Sequence, residues 1–122
     1  MTKAQIERHQ DNIETLLAIS IDPTDGNNVK GKLSSLGEHL NIASQCILNA
    51  KRAYLQTYGE WLRRHTEKID AMKPSVAKHF IETACIDEQL LLVRCEQNYK
   101  DIGKCSDGLI TILSYLKAEM SL

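Results

Sequence analysis

Four cysteines (Cys46, Cys85, Cys95, Cys105) and four histidines (His9, His39, His65, His79) are the side chains of this 122-residue chain best suited to nucleophilic or metal chemistry. Zinc sites need closely spaced Cys and His ligands. Metal sites in helical bundles need inward-facing Glu with a Glu-x-x-His pattern. The chain contains neither a Cys-x-x-Cys pair nor a Glu-x-x-His, and its histidines fall on different segments. A Cys–His nucleophile pair would have to be assembled in space, and Cys46 sits beside an apolar seam, where a thiol packs as a small hydrophobe. There is no Gly-rich phosphate loop and no Gly-x-Ser-x-Gly. The expectation is a protein with no catalytic residue, no metal and no cofactor, and so not an enzyme. Cys85, Cys95 and Cys105 lie ten residues apart, about 15 Å along a helix, whereas a disulfide needs Cα atoms within about 7 Å. Free thiols in a reducing cytosol are expected.

The other chemical feature is charge. Arg63, Arg64, Lys68, Lys73 and Lys78 cluster with His65 and His79, opposed between positions 63 and 79 only by Glu67 and Asp70. Tyr54, Tyr58 and Trp61 precede them on the same arm. Cations near rings suit single-stranded nucleic acid, where phosphates pair with the cations and bases stack on the rings. The bland alternative is a solvated helix face whose aromatics belong to the core. Net charge is −1, from 15 basic and 16 acidic residues. No global field therefore draws the chain to nucleic acid or an anionic membrane, and any electrostatic function must be local.

These residues need elements to position them. Hydrophobic residues make up 43% of the chain but aromatics only 5%, a Leu-, Ile- and Ala-rich content that suits helix packing. Residues 2 to 19 form a short amphipathic helix on Ile6, Ile13, Leu16 and Leu17, and residues 20 to 28, with Asp-Pro, Asp-Gly and Asn-Asn, form a loop. From Val29 the apolar positions are Leu33, Leu36, Leu40, Ala43, Ile47, Ala50 and Tyr54, alternating spacings of four and three. That heptad seam predicts a long helix over 29–72, with Gly37 and Gly59 marking a bend or close packing. Lys73-Pro74-Ser75 breaks it, since proline opens a helix more readily than it continues one. A second long helix over 75–120 carries Ala77, Ile81, Ala84, Glu88, Leu91, Cys95, Asn98, Ile102, Cys105, Leu109, Ile112 and Leu116 on its seam. Each arm would span on the order of 65 Å.

The predicted fold is all-α: one domain over 1–122, a long antiparallel coiled-coil-like hairpin with a short N-terminal helix. Flanking Leu48, Leu92 and Leu113 would stay exposed on a hairpin this long, so self-association into a dimer or higher helical bundle is expected. A monomer with helix 1 folded onto the hairpin is the competing arrangement. Glu88 and Asn98 are polar seam positions, and a buried Asn there fixes register and oligomer state at some loss of stability. On that reading Asn98→Leu would stabilise the fold and broaden the oligomer distribution.

Glu96-Gln97-Asn98-Tyr99 followed by Asp107-Gly108-Leu109-Ile110-Thr111-Ile112-Leu113-Ser114-Tyr115-Leu116-Lys117-Ala118-Glu119 resembles the last helix of a group of small helical proteins from tailed bacteriophages and prophages. Ala50-Lys51-Arg52-Ala53-Tyr54 is similar to that group's preceding helix. Gln97, Gly108 and Ile110 depart from it where arginine, alanine and arginine are usual. The group has no established activity, and its genes often neighbour those for single-strand annealing and single-stranded DNA-binding proteins. The resemblance implies a cytoplasmic accessory protein in a bacterial host cell. It would act by binding in DNA recombination or replication, with single-stranded DNA or a phage recombination protein as partner. The alternative is a host-defence antagonist, anti-CRISPR-like or sequestering a nucleotide signal. No membrane partner is expected, because no apolar run approaches the length of a spanning helix.

Overall fold

Helix starts at Thr2, Asp25 and Pro74 fall on residues suited to the task. Thr2 accepts from the Gln5 N–H at 3.2 Å while the Gln5 side chain accepts from the Thr2 N–H at 2.8 Å, a reciprocal box that satisfies two donors at the start of the first helix. Asp22 holds the following loop by accepting from the Thr24 N–H and hydroxyl at 2.9 and 2.6 Å. Asp25 then caps the second helix through the N–H groups of Asn27 and Asn28. Pro74 occupies the first turn of a later helix, where its missing N–H is not needed.

The computed structural model describes residues 1–120. Among these are five helices, α1 (Lys3–Ala18), α2 (Gly26–Arg64), α3 (Thr66–Asp70), α4 (Pro74–Ala84) and α5 (Ile86–Met120), and no strand. The fold class is all-α, as expected. None of the described helices is long and apolar enough to cross a membrane. Helices α2 and α5 share the most extensive interface, and α1 lies against both. Their directions are opposed: a methyl group built on Gly26, at the start of α2, would stand 3.9 Å from Leu116, near the end of α5.

The boundaries differ from the predicted ones in three ways. Asp25 starts α2 three residues earlier than Val29. The helix predicted over 29–72 breaks at His65 (φ −120°, ψ 25°), and the one predicted over 75–120 breaks at Cys85 (φ −104°, ψ 20°). Backbone bonding survives both bends, for His65 N–H still reaches Trp61 O and Gln89 N–H reaches Cys85 O. Side chains near both sites bond back to helix carbonyls, as they also do at His39, Thr111 and Ser114 in unbroken stretches. The His65 ring Nδ1 lies 3.1 Å from Trp61 O, and the Thr66 hydroxyl donates to Leu62 O at 2.8 Å. Near the second, the Thr83 hydroxyl donates to His79 O. Gly37 and Gly59 are not the bends, nor sites of close packing: a Cβ at either would meet nothing within 4 Å.

Two apolar clusters fill the interior. Ile13 of α1, Val29, Leu36 and Ala43 of α2, and Ile102 and Leu109 of α5 form one. Ile6, Cys46, Ala50, Leu91 and Cys95 form the other. Each fully buried Ile or Leu contributes roughly 1.5–3 kcal/mol. The α5 seam falls where its heptads put it. On α2 burial is rotated, because α1 lies on one flank. Cys46, expected beside the seam, is fully buried, and Leu40, expected on it, is 42% exposed. Leu92 and Leu113, expected to be exposed, are half-buried against these clusters, whereas Leu48 is exposed.

Helix α1 is held by polar bonds as well as by Ile6 and Ile13. Arg94 of α5 grips Glu14 with both arms of its guanidinium, Nε–Oε2 at 2.7 Å and Nη2–Oε1 at 2.9 Å, and reaches Asp11 at 2.7 Å. One turn on, Asn98 Nδ2 donates to Gln10 Oε1 at 3.0 Å and Glu14 Oε2 at 2.8 Å. At the other end, the Lys32 ammonium donates to the carbonyls of Leu17 and Ile19, closing the α1 C-terminus from α2.

Candidate nucleic-acid interface

The basic cluster lies on either side of the His65 break. Arg63 and Arg64 end α2, and Lys68 stands in α3, on the far side of the bend. Arg64 and Lys68, four residues apart, would share a face of a continuous helix too, with Arg63 beside them. Arg63, Arg64 and Lys68, with His65, Thr66 and Glu67, form the wall of one open depression of about 430 Å³. All three cations are exposed, and Glu67 is the single acid on that wall. Lys73 and Lys78 do not line it. Lys73 forms the N-cap of α4, and the Lys78 ammonium lies 3.9 Å from Glu82.

The rings beneath the depression are engaged with one another. Trp61 stacks on His65 with centroids 4.1 Å apart and planes 12° apart. Phe80 of α4 presents its edge to both, at 5.8 and 6.0 Å. Lys68 Nζ sits 4.9 Å over the Phe80 ring, a cation–π contact that fixes the ammonium while leaving its charge. Tyr54 and Tyr58 pair further down α2, half-buried. These aromatics pack the bend; they are not laid out as open platforms for bases. The depression gathers three exposed cations, and of these rings His65 is the one that lines it.

The two polar seam residues have separate surroundings. Asn98 is buried and bonded within the chain to α1. It fixes the register of α1 on α5, and its side chain is engaged before any second copy could meet it. Glu88 is half-buried and lines a small pocket of about 140 Å³ among α1, α2 and α5 with Ile6, Ala50, Ala53 and Leu91.

Titration behaviour follows from these contacts. The Arg94 hydrogen bond, aided by Asn98, holds the Glu14 carboxyl below its ordinary value against some desolvation, and the Glu14 and Asp11 bonds raise Arg94 in turn. Burial pushes Cys95 up to about 12, with the adjacent Cys46 adding to the effect. Burial also raises Cys46, opposed by the Gln10 amide, and Cys85. The Gln10 Nε2 is buried without a partner of ordinary hydrogen-bond geometry, its approach to the Cys46 sulfur being weak. Among the described residues no three His, Cys, Asp or Glu side chains gather closely enough to hold a metal ion.

Sequence reasoning missed Gln10, Asp11, Glu14 and Arg94. A signal existed for the first: Ile6, Gln10, Ile13 and Leu17 repeat the four–three–four spacing of a seam, with a polar residue at one position, matching the polar Asn98 on α5.

No protein family, no curated protein and no solved structure matches this chain.

Proposed function

We propose that this protein acts by binding rather than catalysis, as a phage or prophage accessory that contacts single-stranded nucleic acid through Arg63, Arg64 and Lys68. In this reading it works in the bacterial cytoplasm as an oligomeric bundle of antiparallel helical hairpins. The observation that carries the proposal is the convergence of those three cations on one depression at the His65 bend, opposed by a single acid. Two supports stand beside it. The C-terminal helix resembles the phage group whose genes neighbour single-strand annealing genes. No helix at the bend carries a base-reading pattern of side chains, so single strands suit it better than base-paired DNA. Because Trp61 and His65 are stacked on each other, recognition runs through phosphates, is indifferent to sequence and is weak.

Fluorescence anisotropy with labelled single-stranded DNA at low salt tests this. Three phosphate contacts predict a slope of log K against log salt of about −2. Reversing Arg63, Arg64 and Lys68 to Glu abolishes binding without unfolding the chain, since all three are exposed. Absence of binding by the parent protein up to roughly tens of micromolar at low salt, where phosphate contacts are strongest, removes the proposal.

A further inference from the structure

Two exposed apolar stripes remain that neither the core nor the basic depression uses. On α2, Leu48, Leu55 and Leu62 stand seven residues apart and are 58%, 57% and 37% exposed. Residues seven apart share one face of a helix, and three leucines so spaced read as a second heptad stripe, turned away from the buried Val29–Ala50 row. Leu48 and Leu55 line a shallow surface groove of about 380 Å³ together with Lys51, Arg52 and Gln56. The other stripe is on α5, where Ile86, Leu90 and Val93, spaced four and three, are 45%, 58% and 54% exposed.

The two stripes carry opposite charge. The α2 stripe is flanked by the exposed Lys51 and Arg52. The α5 stripe is flanked by the exposed Asp87 and Glu96. Arg94, the one cation in that part of α5, is consumed by Asp11 and Glu14. Like charges facing each other across a helix pair oppose association, and opposite charges at flanking positions select the partner helix. A second copy that laid its α2 on this α2 would set Lys51 and Arg52 among cations. A second copy that lays its α5 there supplies acids to the same cations and apolar side chains to the leucines.

We propose that the α2 stripe Leu48–Leu55–Leu62 is an interface for a second copy of this chain, and that it seats the Ile86–Leu90–Val93 stripe of that copy's α5. This rests on the oligomeric reading above and specifies its surface. Every copy carries one stripe of each kind, so the contact is self-complementary between copies without being self-complementary on either helix.

Charge exchange tests it. One variant carries Lys51→Glu and Arg52→Glu; the other carries Asp87→Lys and Glu96→Lys. All four positions are exposed, so both variants fold, as circular dichroism will report. Mass is measured by light scattering coupled to size exclusion. The parent runs at twice the 13.8 kDa of one chain or more, each variant alone runs as a monomer, and an equimolar mixture of the two returns to the parent mass. A parent that is monomeric at every concentration overturns the oligomeric reading and the interface with it. A parent that assembles, with variants that assemble equally well alone, overturns the interface only. Variants that dissociate but fail to recombine on mixing overturn the α2-to-α5 pairing. Since Arg63, Arg64 and Lys68 are untouched, DNA binding by the monomeric variants reports separately on the basic depression.

Discussion

The half of the molecule covered by α1 and the half around the His65 bend are built from the same kind of helix, yet their interiors differ. Under α1, Ile13, Leu36, Cys46 and Ile102 are sealed from water. At the bend, Trp61, His65, Ile69 and Phe80 are half-buried, held by ring contacts and by Lys68 over Phe80. The difference shows what a third helix adds. Two helices can bury one seam between them, and a third closes its flank; outside α1 the buried side chains are fewer, Ala77 and Ile81 of α4 among them. Where α1 is missing, the chain substitutes broad aromatic rings for a covering helix and keeps cations facing outward.

The sharpest way to break that comparison is to delete the same atoms in each half. Ile102→Ala is expected to lower stability by about 3 kcal/mol, because it leaves a cavity in a closed core. Ile69→Ala is expected to lower it by about 1 kcal/mol, since water already reaches that side chain. Urea titration of both variants provides the measurement, and equal losses would mean that the bend is as closed as the core.

A smaller effect tests how α1 is attached. Asn98→Leu strands the Gln10 carbonyl in the interior and removes one partner of Glu14, a loss of about 1–3 kcal/mol. This reverses the direction expected from the sequence, where a seam Asn looked like a specificity device that Leu would improve on. Amide exchange should quicken across α1 first. The Glu14 carboxyl, depressed by Arg94 and Asn98, gives the clasp a pH signature. Below the unfolded carboxylate value the unfolded chain takes up a proton that the folded chain resists. The clasp's contribution is therefore complete at neutral pH and fades as the pH falls through that range toward the folded value. Glu14→Gln should flatten that part of the acid profile; an unaltered profile would assign the acid sensitivity to other groups.

The smallest expected effect sharpens the comparison most finely. A methyl group on Gly37, Gly59 or Gly103 meets nothing within 4 Å, so each Gly→Ala should add about 0.5–1 kcal/mol by stiffening the helix. If the molecule unfolds as one unit, Gly59→Ala near the bend gains as much as Gly103→Ala beside α1. A smaller gain at Gly59 in thermal melts would show that the bend frays before the rest.

Most of the α5 interior was legible because its heptads run without a fault and each apolar position has a helix opposite. Leu91, Cys95, Asn98, Ile102 and Leu109 are all buried. The His65 and Cys85 bends were not legible, because neither coincides with a proline or glycine. The hydroxyl and imidazole back-bonds found there also occur at His39, Thr111 and Ser114, where the helix runs on unbroken. The attachment of α1 was obscured for a different reason. Asp11 and Glu14 look like residues of a solvated face until Arg94, eighty residues beyond Glu14, is brought against them. Of the basic cluster, the sequence pointed to five positions, and only the depression distinguishes Arg63, Arg64 and Lys68 from Lys73 and Lys78.

The buried sulfurs have a practical consequence. Oxidants and alkylating reagents attack thiolates, and burial keeps Cys46, Cys85 and Cys95 protonated and out of reach through the neutral range. Cys105 alone is only half-buried. Toward a maleimide dye, a chain with four thiols should behave as though it had one, and a fluorescent label can be placed on the native protein at a known position without removing a single cysteine.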